Sequence, residues 1–454
     1  MHKLTRITAS IGPASESKEI LRDMIAKGMN IARLNFSHDT HEAHGKKFVA
    51  IRELSAELKT PIAIMADLQG PKHRIGMFEV EDKKYPLVAG QEFTLDNDPT
   101  PGNSTRVQLP DANVLKSLKV GDRVLLNDGK IELEVTQSTG AAVTTRVVRG
   151  NEIWDRRGFN IPDTMVDAGV LTEKDKRDLE YIIKQNPDFV AVSFVQKPED
   201  ITEVKEFINS HGNFTIKIVA KIERPQALEC LEEIADVADG IMVARGDLAV
   251  EVPFWEVPAI TRNMIRICRR KNKPIIIATQ MLSSMVNSEF PMRAEISDVA
   301  QAAYLRADST MTSEETTMSD HPVLVVDTMR KILKAAEFDA RTNVADWAHH
   351  ENLPENDWSR SVVSMSYLNK CVAIVVFVHG GRNARAISAR RPDVPIVAIC
   401  NDSTVANQLV MNRGVFPIYD PEMFDSRDIN GALAHIGVDA GKVVVVDDET
   451  VTLQ

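Results

Sequence analysis

The apolar positions along this chain fall into two alternating patterns. Short runs of β-branched and aliphatic residues are each followed by a stretch in which apolar side chains return every three or four positions. These are the signatures of a buried strand and an amphipathic helix. TRITASIG at 5–12 is the first such strand, running into Gly12-Pro13-Ala14-Ser15. Ser17 can then cap a helix whose apolar stripe is Ile20, Leu21, Met24 and Ile25, and Gly28 stops it. MNIARLNF (29–36) is a second strand, 41–58 reads as a helix, and PIAIMADL (61–68) is a third strand.

From about 72 to 159 the alternation gives way to short β-rich runs, EFTL, TRVQL, DRVLL, KIELEV and AVTTRVV. Turn signals such as Asn97-Asp98-Pro99 and Asp128-Gly129 separate them. This predicts an all-β module inserted at the C-terminal end of a strand, where it would sit above a barrel mouth as a lid. A helix beginning at Thr172 restores the pattern. DFVAVSF (188–194), TIKIVAKI, GIMVA, PIIIAT and the polar DSTMTS (308–313) complete eight strands. Eight βα units over about 250 residues, once the insert is removed, is the count of a (β/α)8 barrel.

The stretch 342–361 is polar and irregular and reads as a linker or an extended helix. CVAIVVF (371–377), VPIVAIC (394–400) and KVVVVDD (442–448) then mark a further α/β region, with a helix running from Gly380-Gly381 through Arg391. The predicted fold is α/β: a (β/α)8 TIM barrel formed by 1–71 and 159–342, a small β-barrel lid inserted at 72–158, and a C-terminal α/β regulatory or oligomerisation domain at 343–454. No solenoid repeat and no low-complexity tract interrupts this plan.

Composition narrows the class. The chain has 454 residues, enough for several domains, and 43% of them are hydrophobic, which supplies a large core. A net charge of −11 argues against nucleic acid as the main partner, because phosphate backbones need a basic face. Cys230, Cys268, Cys371 and Cys400 are scattered without a CxxC pair, which points to reduced thiols and not to a disulfide or zinc framework. No apolar segment suggests a signal peptide or a membrane span, so the expectation is a cytoplasmic enzyme with no membrane partner.

The ends of the barrel strands carry the chemistry. Lys221 and Glu223 are two apart and share a face at the end of the fifth run, Arg245-Gly246-Asp247 closes the sixth, and Thr279-Gln280 the seventh. One carboxylate after a strand is more often a helix cap, and one lysine a solvated charge. Four such residues at consecutive strand ends favour a Mg²⁺ site (Glu223, Asp247) with an ammonium (Lys221) and a hydroxyl (Thr279) beside it. Arg33, Asn35, Ser37 and His38 follow the second strand, Asp67 and Gln69 to Arg74 the third, and Thr312, Ser313 and Glu315 the eighth. Arg33, Lys72, Arg74, Lys174 and Lys221 form a cationic group on an acidic protein, suited to a phosphorylated substrate. A metal bridging substrate oxygens, with cations on the remaining oxygens, is the equipment of phosphoryl transfer.

Several motifs in order resemble the pyruvate kinase family over nearly the whole chain. They are Ile11-Gly12-Pro13-Ala14-Ser15, Arg33-Leu34-Asn35-Phe36-Ser37-His38, Asp67-Leu68-Gln69-Gly70-Pro71 and Leu171-Thr172-Glu173-Lys174-Asp175. Ala220-Lys221-Ile222-Glu223, Ile241 through Leu248, Ala278-Thr279-Gln280-Met281-Leu282 and Arg293-Ala294-Glu295 complete the set. The resemblance implies transfer of phosphate from phosphoenolpyruvate to ADP in glycolysis, by a homotetramer. It implies Mg²⁺ or Mn²⁺ on Glu223 and Asp247, and Lys221 neutralising the phosphoryl group and the enolate. Gly246, Asp247 and Thr279 would bind the substrate carboxylate, and Arg33 the substrate phosphate. Arg74 and Lys174 would meet ADP, and Thr279 or Ser313 would relay a proton. A monovalent-cation pocket would comprise Asn35, Ser37, Asp67 and the Leu68 carbonyl.

Three departures from the family pattern carry expectations of their own. K⁺-dependent relatives resemble GPEIR where this chain has Gly70-Pro71-Lys72-His73-Arg74, so Lys72 is expected to place its ammonium near the cation pocket and replace K⁺. Around the eighth strand, RADSTMTSEETTMSDHP puts Glu314 where a small residue is usual and Thr317 where alanine is; Glu314 would repel substrate if it pointed inward. The effector loop reads Phe377-Val378-His379-Gly380-Gly381-Arg382-Asn383 without the usual hydroxyls, although Gly380, Gly381 and Arg382 could still hold an anion. No glycine-containing loop and closing strand are expected at the C-terminal end, so fructose-1,6-bisphosphate activation is not expected. Two other readings stay open on the residues alone. One is a catalytically weak paralogue that binds an effector or partner. The other is a Mg²⁺-dependent pyruvate aldolase, which would need neither Arg74, Lys174 nor the insert.

Overall fold

Runs of aliphatic residues covered on both faces make parallel strands, and eight of them close into a ring here. The computed structural model describes residues 3–166, 169–343, 357–448 and 450–454. In chain order the barrel strands are Arg6–Ser10, Ile31–Asn35, Ala63–Asp67, Phe189–Val192, Lys217–Ile222, Gly240–Ala244, Ile275–Ala278 and Ser309–Thr312. Each pairs in parallel with its neighbours in sequence, and the first pairs with the eighth.

Period-two alternation decides what fills the ring. Ile31, Ala63, Met65, Phe189, Ala191, Val219, Met242, Ile276 and Met311 form one buried cluster, and Val410 and Met411 of the C-terminal region join it from the strands' N-terminal end. Two residues further along the same faces come Arg33, Asp67 and Lys221. Inward-pointing side chains thus change from apolar to charged as the strands reach the C-terminal rim. The helices pack outside against Ala32, Leu34, Ile64, Ala66, Ile218 and Ala220. Their starts are marked by the side-chain caps Ser17, Thr40 and Thr172, the last in a capping box with Asp175.

The chain leaves the barrel after the third strand and builds a separate core around Phe93, Leu95, Val107, Val124, Leu133 and Val147. Strands Glu92–Asp96, Arg106–Gln108, Arg123–Leu126, Ile131–Ser138, Ala142–Arg149 and Phe159–Asn160 pair as a six-stranded sheet, beside a two-stranded ribbon of Tyr85–Pro86 and Glu152–Ile153. The insert is not all β: Ala112–Ser117 is a helix capped by Asp111, a single turn and a half too short to show periodicity.

The C-terminal sheet has the order Val415–Tyr419, Ile396–Cys400, Ala373–Val378, Val443–Asp447, Thr450–Leu453. The first four are parallel, and the last is antiparallel to Val443–Asp447. A closing strand is therefore present, against expectation; its side chains are mostly exposed, so it carries no apolar run to announce it. Val415–Tyr419 was also not anticipated, because Pro417 interrupts its pattern, which an edge strand tolerates. Of the stretch 342–361, residues 344–356 lie outside the described residues; the helix Pro322–Asn343 precedes them and Trp358–Leu368 follows. Among the described residues no helix is long and apolar enough to cross a membrane.

Candidate active site

The C-terminal rim gathers residues from the ends of all eight strands. Lys221, on the fifth strand, is the hub. Its ammonium donates to Ser193 Oγ at 2.6 Å and lies 3.2 Å from both Asp67 Oδ1 and Glu223 Oε1. Ser193 in turn donates to the Leu68 carbonyl at 2.7 Å, so the fourth strand fixes the ammonium against the end of the third. Burial alone would strip Lys221 of its proton; Asp67 and Glu223 more than reverse this and hold it charged above the usual lysine range.

Asp67 is fully buried and serves two cations. Arg33 Nε donates to its Oδ2 at 2.6 Å, while Arg33 Nη1 donates to Ser10 Oγ at 2.8 Å. Burial works to raise the Asp67 carboxyl, and Lys221 with Arg33 outweighs it, leaving the group below its ordinary range. Glu223 goes the other way. Burial pushes it up, Asp247 adds to the push, and Lys221 only partly offsets them, although Glu223 Oε2 accepts the Phe194 N–H at 2.7 Å. A buried carboxylate raised by burial and by a second carboxylate beside it marks a site short of positive charge, the condition a divalent ion relieves.

Gly246 and Thr279 meet across the sixth and seventh strand ends. A Cβ on Gly246 would lie 2.7 Å from Thr279 Cγ2, so only glycine lets these backbones approach. Thr279 itself has φ 72°, a left-handed conformation that a β-branched residue adopts only under constraint. The constraint is Arg245. It donates to the carbonyls of Ala278 (2.9 Å) and Thr279 (2.7 Å), and both oxygens of Asp298 hold it at 2.7 Å.

Other residues singled out in the sequence fall around this centre. Lys72 Nζ pairs with Asp247 Oδ1 at 3.6 Å, whereas Asp67 takes its cations from Arg33 and Lys221. The expectation for Lys72 is a place near the monovalent pocket; the ion pair it makes is with Asp247, one of the two carboxylates expected to hold the divalent ion. The turn at Gly70, with φ 67°, carries the chain past Ser193 and turns Lys72 that way. In the pocket, Asn35 Oδ1 accepts the Ser37 N–H at 3.1 Å, and Ser37 is exposed. Lys174 donates to the Phe36 carbonyl and to Asp178, each at 2.6 Å. Arg74 is exposed at the hinge of the insert and donates to the Arg156 carbonyl.

Ser313 donates its N–H to Glu315 Oε2 at 2.6 Å, and Glu315 Oε1 accepts the Leu282 N–H, tying the seventh and eighth strand ends together. Glu314 is exposed and opens the short helix Glu314–Thr317. Thr317 packs on Gly12, where a Cβ would come within 2.6 Å of it. Gly380, Gly381 and Arg382 lie far along the chain at the start of helix Arg382–Ala389 and line a cavity of about 190 Å³ with His379 and Asp448.

Three site residues carry no sequence signal of their roles: Ser193 is a lone hydroxyl after an apolar strand, Arg245 precedes a glycine with nothing to mark its carbonyl partners, and Asp298 sits inside a helix far along the chain from Arg245.

Known proteins resemble this chain in sequence and in fold. Residues 2–326 match the family model of the pyruvate kinase barrel domain, and 356–453 match that of the pyruvate kinase alpha/beta domain. A pyruvate kinase from Methylorubrum extorquens is 39% identical over 94% of this chain and 88% of its own length. One from Clostridium perfringens is 37% identical over 90% of this chain and 88% of its own. The crystal structure of a pyruvate kinase from Cryptosporidium parvum superposes with a TM-score of 0.93 at 31% identity, covering 100% of this chain and 96% of that one. With its barrel, its lysine-centred rim and both family domains in place, the chain belongs to the pyruvate kinase family.

Proposed function

We propose that the barrel mouth transfers the phosphoryl group of phosphoenolpyruvate to ADP, with Lys221 as the principal catalytic cation. One observation carries this assignment: a buried ammonium is fixed by Ser193, Asp67 and Glu223 and kept charged. Positive charge held in place before reaction is worth most where charge develops on a migrating phosphoryl group and an enolate.

Glu223 and Asp247 fit a Mg²⁺ or Mn²⁺ ion, since burial and the neighbouring Asp247 both oppose a charge on Glu223 and such an ion removes that cost. When bound, it supplies electrophilic polarisation of the substrate oxygens. The chain's own groups do the rest. Main-chain N–H groups at Gly246 and Asp247, with the Thr279 hydroxyl, orient the substrate carboxylate. Arg33 has Nε and Nη1 engaged, and Nη2, without a partner among the described residues, is left to meet the substrate phosphate. Arg74 and Lys174 receive the ADP phosphates. Thr279 or Ser313 delivers a proton, through water, to the enolate carbon. The β insert at 72–158 acts as the lid over this site. Lys221→Met should lower kcat about 10²- to 10³-fold, as loss of one fixed electrostatic contact does. Near-normal turnover in a lactate-dehydrogenase-coupled assay would refute the assignment.

Lys72, its ammonium 3.6 Å from Asp247 Oδ1, adds a positive charge to the mouth, and on this reading activity should not require K⁺; an enzyme silent in alkali-metal-free buffer until K⁺ is added would overturn this. In the C-terminal cavity, Asp447 and Asp448 flank His379, which disfavours a doubly phosphorylated sugar beside Gly380, Gly381 and Arg382. The homotetramer and the cytoplasmic setting rest on the family resemblance; exposed apolar side chains at Phe290, Met292, Tyr367 and Leu368 support self-association of some order.

A further inference from the structure

Asp178 is shared between two groups of different chemistry. Its Oδ2 is 2.6 Å from the Lys174 ammonium, and its Oδ1 is 2.7 Å from His41 Nε2. The carboxylate is 5% exposed, so neither partner can be withdrawn at no cost. Lys174 also donates to the Phe36 carbonyl, which leaves it folded back onto the protein. Lys174 and Asp178 lie on the helix Glu173–Gln185, and His41 opens the helix His41–Glu57.

The imidazole is held for this contact. Its ring stacks on Tyr181 at 4.4 Å and 9°. Tyr181 reaches that position because Gly45 is bare: a Cβ there would lie 2.5 Å from Tyr181 Oη. Glycine inside a seventeen-residue helix costs roughly 1 kcal/mol against alanine, so its presence marks a packing demand.

We propose that His41 is a positioning residue for Lys174, taking over Asp178 as an imidazolium when Lys174 turns to a nucleotide phosphate. Capture of the nucleotide is then coupled to uptake of one proton. This rests on the reading of Lys174 as an ADP contact. In the free enzyme Lys174 and His41 share Asp178 between them. With Lys174 engaged by phosphate, the buried carboxylate has only His41, which holds its proton more firmly in the complex than before. Binding is therefore favoured at low pH and lost as pH rises through the range in which the complex releases that proton.

The other groups around His41 do not compete. Tyr181 is kept neutral by burial, which raises its phenol. His44, on the same helix, is pushed toward the neutral form by burial, and Lys47 is paired with Asp39. Phe36, 6.3 Å away, offers only its ring.

The test compares KM for ADP between pH 6 and 8.5 in the wild type and in His41→Gln, which can still donate a hydrogen bond but cannot titrate. Titration of ADP itself is common to both. The wild type should show an additional rise approaching tenfold, the equivalent of one unit of differential proton affinity, and His41→Gln should lack it. Identical profiles would overturn the proposal. Calorimetry of Mg-ADP binding in two buffers of different ionisation enthalpy, on wild type alone, guards against a misfolded variant. Proton uptake beyond that of ADP supports the coupling, and none overturns it. Lys174→Met separates the two readings. Unchanged KM for ADP removes Lys174 from the nucleotide site, whereas a raised KM with a wild-type-like His41→Gln profile leaves that role intact and sinks only the switch.

Discussion

Thr279 shows how single residues of the rim depend on groups that never touch substrate. Its left-handed backbone is strained, and the strain persists because Arg245 grips the carbonyls before and within it while Asp298 grips Arg245. Asp298→Asn should keep the hydrogen bonds in part but loosen the clamp, lowering kcat about 10- to 100-fold by analogy with other outer-shell partners. A thermal midpoint close to wild type in the same variant would separate this effect from unfolding. Glu223 gives a second residue-scale test. Its folded-state proton affinity is raised, so in metal-free protein its ionisation works against the fold as pH rises from the ordinary glutamate range upward. Glu223→Gln should therefore gain thermal midpoint over metal-free wild type at pH 8 more than at pH 5, and lose all stabilisation by MgCl₂. A constant gap across pH would contradict the assignment. Lys221 and Glu223 were legible because period two put them on one face, and Asp247 because it followed a strand. The direction of Lys72 was not legible, since it turns on the Gly70 bend, which a motif alone does not orient.

At the scale of elements, the pairing of helix His41–Glu57 with helix Glu173–Gln185 is decided by one missing methyl group. Tyr181 Oη is the only atom close to the vacant Cβ position of Gly45, since the next, Tyr181 Cζ, is 3.9 Å away. Gly45→Ala should thus forgo the gain of roughly 1 kcal/mol that alanine brings to a helix interior. Tyr181→Phe removes the obstructing oxygen, and Gly45→Ala made in that background should recover most of the gain. Urea midpoints of the four proteins form the cycle, and equal effects of Gly45→Ala in both backgrounds would show that the ring moves freely. Elements of this kind were easy to read where burial on both faces gave continuous aliphatic runs, as in the barrel strands. They were hard to read where the run was broken or exposed. Pro417 hid Val415–Tyr419, and the Thr450–Leu453 strand offered one half-buried residue, Val451, among exposed ones.

Across the whole molecule, the C-terminal region is fastened to the barrel at the end opposite the rim, and the fastening is a charged pair in an apolar setting. Arg391 reaches Asp308 with both terminal nitrogens, at 2.8 and 2.6 Å, and the two side chains are 2% and 1% exposed. Asp308 also accepts the N–H of Arg413 and the N–H of Ile275, the first residue of the seventh strand, while its own main chain leads into the eighth. A buried ion pair alone is weak evidence of stability, because an apolar pair of equal volume often serves as well. Here the carboxylate does more than pair. Arg391→Met leaves Asp308 buried but still accepting two N–H groups, whereas Asp308→Ala strands the guanidinium and both N–H groups together. Breaking a buried pair costs about 3–5 kcal/mol, and each orphaned donor adds about 1–3 kcal/mol, so Asp308→Ala should be the more destabilising change. Because the lost contacts span the two units, its calorimetric trace should split, with the C-terminal region melting before the barrel. Equal midpoints for the two variants, or a single sharp transition in Asp308→Ala, would mean that Val410 and Met411, seated in the barrel floor, join the halves without help from the charge.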